Sequence, residues 1–152
     1  MKKLSVLFES INPSEAYQDF DAMMTVLRGR RSVAFLMGPT VDEFYEKHLK
    51  NNDSVGLMRV KRDGHGLWGD GYILYNDINK AKRLHMIMSK HDGYLSDDTP
   101  EEAIENGEAL EYHDEDIKSF TEKRYGEGSY DKVKKDILKE LIFYLNVGII
   151  AY

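Results

Sequence analysis

A chain of 152 residues, 41% hydrophobic and 32% charged, is long enough for one domain with a real core and unlike a disordered or collagenous polypeptide. With no cysteine, disulfides, thiolate nucleophiles, iron–sulfur clusters and cysteine zinc sites are excluded. The 21 lysines and arginines against 27 aspartates and glutamates, net -6, argue against direct binding of nucleic acid, while Lys132, Lys134, Lys135 and Lys139 interleave with the acids and argue against a wholly acidic DNA mimic.

At the start, Met1-Lys2-Lys3 leads into a stretch broken by Ser5 and Glu9 and lacking a small-residue cleavage site, so no signal peptide is expected. No apolar run approaches the ~20 residues that span a bilayer, so no membrane is expected and the cytoplasm is the expected compartment. Leu4, Val6 and Phe8 share one face and Leu7 the other, as in a buried strand over 4–8. Asn12-Pro13-Ser14-Glu15 supplies a cap, a first-position proline and a third-position acid for a helix that carries Ala16, Phe20, Met23, Met24 and Leu27 and stops at Gly29. Ser32 to Met37 is a short apolar run between Arg30-Arg31 and Gly38-Pro39, again a buried strand. Thr40 opens a second helix bearing Val41, Phe44, Tyr45 and Leu49, which Asn51-Asn52-Asp53 ends.

Val55–Lys61 and Tyr72–Asn76 read as strands that pair antiparallel across a segment longer than a tight hairpin loop. From Asp77 the pattern becomes helical. Ile78, Ala81, Leu84 and Met88 form one stripe, Thr99-Pro100-Glu101-Glu102 starts a helix through Leu110, and Asp114–Arg124 carries Ile117 and Phe120. After a break at Gly126–Ser129, Val133, Ile137, Leu141, Tyr144 and Leu145 define a last helix, closed by Gly148.

These elements predict a mixed α/β chain of the α+β kind forming a single domain, 1–152. Residues 1–76 form a small mixed sheet of about four strands (β-α-β-α-β-β), the first strands parallel through right-handed crossovers and covered by helices; 77–152 are mainly helical. The helical C-terminal third either packs on the sheet or makes a partner surface, and the first is expected, because Ile137, Leu141 and Leu145 need a partner and the chain offers one.

In such a sheet, ligands gather where strands end and helices begin, which points to Glu9 and Asn12 after the first strand and to Thr40 after the second as holders of a small anionic or nucleotide ligand. Ordinary capping is the plainer reading of Asn12 and Thr40, since every helix must cap its first turn. Asp63-Gly64-His65-Gly66-Leu67-Trp68-Gly69-Asp70-Gly71 concentrates four glycines, the only tryptophan, a histidine and two acids. There Trp68, with Tyr72 beyond it, offers a stacking face, and His65 with Asp70 an acid–base pair; a twisted glycine-rich loop covering the sheet edge is the plainer reading. His91-Asp92 beside Tyr94 is a further candidate for proton transfer, although Gly93 marks the same segment as a helix end. The five histidines have no metal-ligand spacing, so no metal and no cofactor are expected.

The band Glu101-Glu102, Glu105, Glu108, Glu111, Asp114-Glu115-Asp116 is either a solvated helix face or a surface for a basic protein, with Glu105, Glu108 and Asp116 as its partner-binding residues. The outline of the first 95 residues, with a helix ending Leu27-Arg28, a strand leading into Asp77, Ala81 and Leu84, then His91-Asp92 and Leu95, is loosely similar to the small phage proteins that cleave S-adenosylmethionine. That family's Gly-x-Tyr-x-Gly element is missing, and Asp70 before Tyr72 stands in its place. Two functions follow. The first is a small acidic accessory protein, of the phage-encoded kind, that binds and blocks a host protein. The second, which the resemblance implies, is a small-molecule enzyme or nucleotide-binding protein working at the strand ends and the loop 63–71.

Overall fold

The computed structural model describes residues 20–37, 41–62 and 70–147. In chain order they form α1 (Phe20–Leu27), β1 (Val33–Met37), α2 (Val41–His48), β2 (Gly56–Val60), β3 (Gly71–Tyr75), α3 (Ile78–Ser89), α4 (Pro100–Ala109), α5 (Asp114–Tyr125) and α6 (Ser129–Val147). The architecture is α+β: a three-stranded antiparallel sheet, six helices and a helical C-terminal part. The expected first strand, 4–8, and the expected start of the first helix lie outside the described residues.

Three strands rather than about four are present among the described residues, and every pairing between them is antiparallel. The strand order is β1-β3-β2. Because β1 and β2 each pair antiparallel with β3, they run in the same direction, joined through α2, yet share no ladder: β3 lies between them. Both faces of β3 are buried, at Gly71, Ile73 and Leu74, as are both faces of β1, at Val33, Ala34 and Leu36, and helices supply the cover.

Pairing register sorts the side chains onto two faces. Leu74 pairs with Ala34 and Leu57 on one face; Ile73 pairs with Phe35 and Met58 on the other. The Leu74 face packs with Met23, Val26 and Leu27 of α1 and Val41 and Phe44 of α2. The Ile73 face packs with Ala81, Leu84, Ile87 and Met88 of α3. This sheet with its α1, α2 and α3 covers is one compact unit, made of the described residues up to Leu95 together with Ala109–Glu111.

Short-range chemistry fixes the ends of these elements. The Asp77 carboxylate accepts the N–H groups of Asn79 and Lys80, capping α3. The short piece Ala109–Glu111 is tied to the sheet unit: Arg31 donates to the Leu110 carbonyl, and the Glu111 carboxylate accepts the Ser32 N–H at 2.8 Å and pairs with Lys80 at 3.3 Å.

Ser96–Glu108 and the described residues from Tyr112 onward form the second unit, which is wholly helical. Thr99 caps α4 by accepting the Glu102 N–H at 3.2 Å. The Glu102 carboxylate accepts the Ser96 hydroxyl and the Asp98 N–H, organising the turn before the helix. The core is small: Ile104, Ile117 and Val133 with Tyr130 against them. Phe120, expected beside Ile117, is half exposed, and Thr121 takes the buried place with its hydroxyl donated to the Ile117 carbonyl at 2.7 Å. Ile137, Leu141 and Leu145 are also about half exposed, contrary to the expectation that they would be covered.

Candidate functional site

The formal charge is divided unequally between the two units. The helical unit holds fourteen acidic residues against seven basic ones, net -7; the remainder of the chain holds thirteen against fourteen, net +1. All of the chain's acidic excess therefore sits on the helical unit. Within it the load lies on Ser96–Glu108, with six acids and no base, and not on α6, where four lysines face three acids.

Packing decides which of these acids face outward. Ala103, Ile104, Asn106 and Gly107 fill the inner side of α4, so Glu101, Glu105 and Glu108 fall along its outer side at helical spacing. Glu101 is exposed and Glu105 partly so. Glu108 is committed within the unit: Lys134 donates to it, and this hydrogen bond raises the Lys134 ammonium above the ordinary lysine value. Asp114, Glu115 and Asp116 form the exposed first turn of α5, where the positive end of the helix favours them. Of the three residues expected to bind a partner, Glu105 and Asp116 are thus available, whereas Glu108 already has a cation. A hollow of about 540 Å³ lies beside the start of α4, with Glu101, Glu127 and Asp136 around it against a single Lys132, and Tyr125 and Ser129 completing its wall. Counting charge along the chain shows the acidic band, but not this hollow, which needs the turn Gly126–Gly128 folded against Pro100.

The residues expected to carry chemistry are not brought together. Glu9, Asn12, Thr40, His65 and Trp68 lie outside the described residues. Tyr72 sits within β3, opposite Leu36 and Arg59, partly buried against the α1–α2 side of the core. Asp70 closes the base of the glycine-rich segment: its carboxylate accepts the Arg62 backbone N–H at 3.1 Å and pairs with the Arg59 guanidinium. The Arg62 N–H first, and the Arg59 hydrogen bond second, hold the Asp70 carboxyl below its ordinary value. An acid held ionised by such partners is a brace and a poor proton carrier at neutral pH. His91 and Asp92 lie in the turn after α3, Asp92 exposed and at φ 55, so this pair terminates the helix. Among the described residues no group of three or more histidines and carboxylates is arranged to hold a metal ion, and no helix is long and apolar enough to cross a membrane.

The role of Asp70 has a pH signature. A carboxyl lowered in the folded state stabilises that state above its unfolded pKa and loses the contribution as pH falls through the folded value. Asp70→Asn is therefore expected to lower the melting temperature at pH 7, with the gap from wild type narrowing below about pH 4. A gap that stayed constant down to pH 2.5 would show that charge at Asp70 is irrelevant.

Compared with known proteins, the chain matches no family model, no curated protein and no solved structure. The loose similarity to enzymes that cleave S-adenosylmethionine gains no support from these comparisons, and the residues themselves have to carry the reading.

Proposed function

We propose that the protein acts by binding and blocking a basic partner protein through its helical unit, in the manner of a phage-encoded accessory protein acting on a component of the host cytoplasm. The observation that carries this reading is the segregation of charge, -7 on the helical unit against +1 on the rest. A surface of one sign draws an oppositely charged partner from a distance and rejects acidic competitors, and it does so most strongly at low salt. Glu101, Glu105 and Asp116 are the residues to engage the partner's lysines and arginines, and the hollow around Glu101, Glu127 and Asp136 has the size and sign to take one such side chain.

The test is capture from a host lysate on immobilised protein, with the captured species identified by mass. A protein of basic isoelectric point should be retained at low ionic strength and released by added salt, since screening shortens the reach of exposed charges from about 10 Å at 0.1 M to about 3 Å at 1 M. The triple variant Glu101→Gln, Glu105→Gln, Asp116→Asn, all at surface positions, should weaken that capture roughly tenfold, each lost contact contributing about 0.5 kcal/mol. Capture of the same protein at equal strength by the variant sinks the proposal.

A further inference from the structure

Arg62, just after β2, is clamped between the turn that follows α3 and the sheet, yet no acid is paired with it among the described residues. The residue is partly buried. Its Nε donates to the Gly93 carbonyl at 3.1 Å, and its guanidinium carbon lies 4.2 Å from the centre of the Tyr94 ring and 5.3 Å from that of Phe35. The Asp70 carboxylate is engaged elsewhere: one oxygen accepts the Arg62 backbone N–H and the other pairs with Arg59. Asp92, next to Gly93 in the chain, is exposed and makes no ion pair with Arg62. Arg59 and Arg124 each have an aspartate; the guanidinium of Arg62 has a carbonyl and two rings. These contacts occupy one edge and the body of the group. The Nη nitrogens form no hydrogen bond among the described residues, and neither is shut away from solvent.

We propose that the open Nη edge of Arg62 is a receptor for a carboxylate, gripped through two parallel N–H bonds. A guanidinium edge carries its donors in one plane and at the separation of the two carboxylate oxygens, so the pair forms a matched fork. The charges match as well, one negative against one positive. A phosphate dianion brings a second negative charge, and the cation next in the chain, Lys61, is exposed and makes no hydrogen bond or ion pair that would fix it there. Restraint favours capture at this arginine over an ordinary surface one. A free arginine gives up rotamer freedom when it grips a ligand; here Gly93 and the two rings have already fixed the side chain, and partial burial strengthens each new bond. The carboxylate belongs either to a small organic acid or to an acidic side chain of a peptide. Arg62, Gly93 and Tyr94 all lie in the sheet unit, so the site is separate from the acidic helical surface and stands whether or not a basic partner is captured.

Nuclear magnetic resonance titration of the isotope-labelled full chain, followed at the Arg62 Nε–H and the Tyr94 backbone N–H, tests the site. Sodium acetate serves as the free acid and the blocked peptide acetyl-Gly-Glu-Gly-amide as the side chain, each against sodium chloride at equal ionic strength. The expected result is a saturable shift with a carboxylate probe, the tighter of the two naming the source, and binding of inorganic phosphate weaker by roughly fivefold. Arg62→Lys keeps the charge and loses the fork, and should weaken carboxylate binding by roughly fivefold, read at Tyr94. Lys61→Gln should change it by less than about twofold. Tyr94→Leu leaves Arg62 in place and removes one of the rings that hold it; a loss of roughly two- to threefold is expected, and this variant carries the test if Arg62→Lys does not fold. No saturable shift with either carboxylate, phosphate bound as tightly as acetate, or undiminished binding by a folded Arg62→Lys would each overturn the inference. If only Tyr94→Leu folds, wild-type binding by that variant overturns it.

Discussion

Leu84→Ala is expected to cost about 2–5 kcal/mol of unfolding free energy, a large part of what a domain of this size commands. Leu84 has no solvent exposure and lies in the middle of α3, whose buried residues Ala81, Leu84, Ile87 and Met88 cover one face of the sheet. Its neighbours in that cluster, Val33, Val60 and Ile73, come one from each strand, so a cavity there opens against all three. Regular backbone on both sides limits collapse into the void, which is the circumstance that puts truncations at the costly end. Urea unfolding followed by far-ultraviolet circular dichroism measures the loss. Met86→Ala on the same helix is the control: Met86 is 54% exposed, and the change should stay within about 0.5 kcal/mol. A Leu84 variant as stable as the Met86 variant would mean that α3 does not cover the sheet.

The elements that could be read from the sequence are those whose signals are local. Thr99 and Pro100 at the start of α4, Asp77 ahead of α3 and Gly29 after α1 mark boundaries through hydrogen bonds or dihedral angles within four residues, and each marks the end it should. The antiparallel pairing of β2 with β3 follows from two short apolar runs close in sequence. The placing of β1 beside β3, which pairs Val33 with Tyr75 and Met37 with Gly71, joins residues far apart in sequence, and no local pattern contains it. The helical stripe on α6 has the right period, but period alone does not distinguish a face covered by its own chain from a face left open. Here the small core of Ile104, Ile117 and Val133 stops short of it.

The candidate site divides along the same line. That acids dominate the stretch from Glu101 to Asp116 is a matter of counting. That Glu108 is bound to Lys134, and Glu102 to Ser96 and Asp98, is a matter of which helix faces meet, and it removes two acids from the surface available to a partner. Asp70 makes the opposite point. Its place in a glycine-rich segment with a histidine suggests catalysis, yet Arg59 in β2 and Arg62 just after that strand, 11 and 8 residues upstream of it, turn it into a brace once the strands pair.

The second large effect is expected at Gly93, where Gly93→Ala should destabilise the protein by roughly 2–4 kcal/mol. The residue has φ +88, a conformation that costs a side chain about 1–2 kcal/mol on its own. A Cβ there would also run into the backbone carbonyl oxygen of Lys61 and come within 2.8 Å of Arg62 Cγ. The carbonyl belongs to the chain leaving β2 and cannot swing aside as a side-chain tip can. Nor can Gly93 retreat easily: its N–H donates to the Met88 carbonyl at 2.9 Å and its own carbonyl accepts from Arg62 Nε at 3.1 Å. The Arg62 guanidinium lies 4.2 Å from the centre of the Tyr94 ring and 5.3 Å from that of Phe35, so moving it disturbs the contact between the turn and the sheet. Gly29→Ala separates the two contributions. Gly29 has φ +70 and open space where a Cβ would go, so its alanine variant should lose only the conformational part, about 1–2 kcal/mol. The difference between the two variants in chemical unfolding then reads the clash at Lys61 directly. Equal losses would show that the turn after α3 yields to a methyl group and is not clamped to the end of β2.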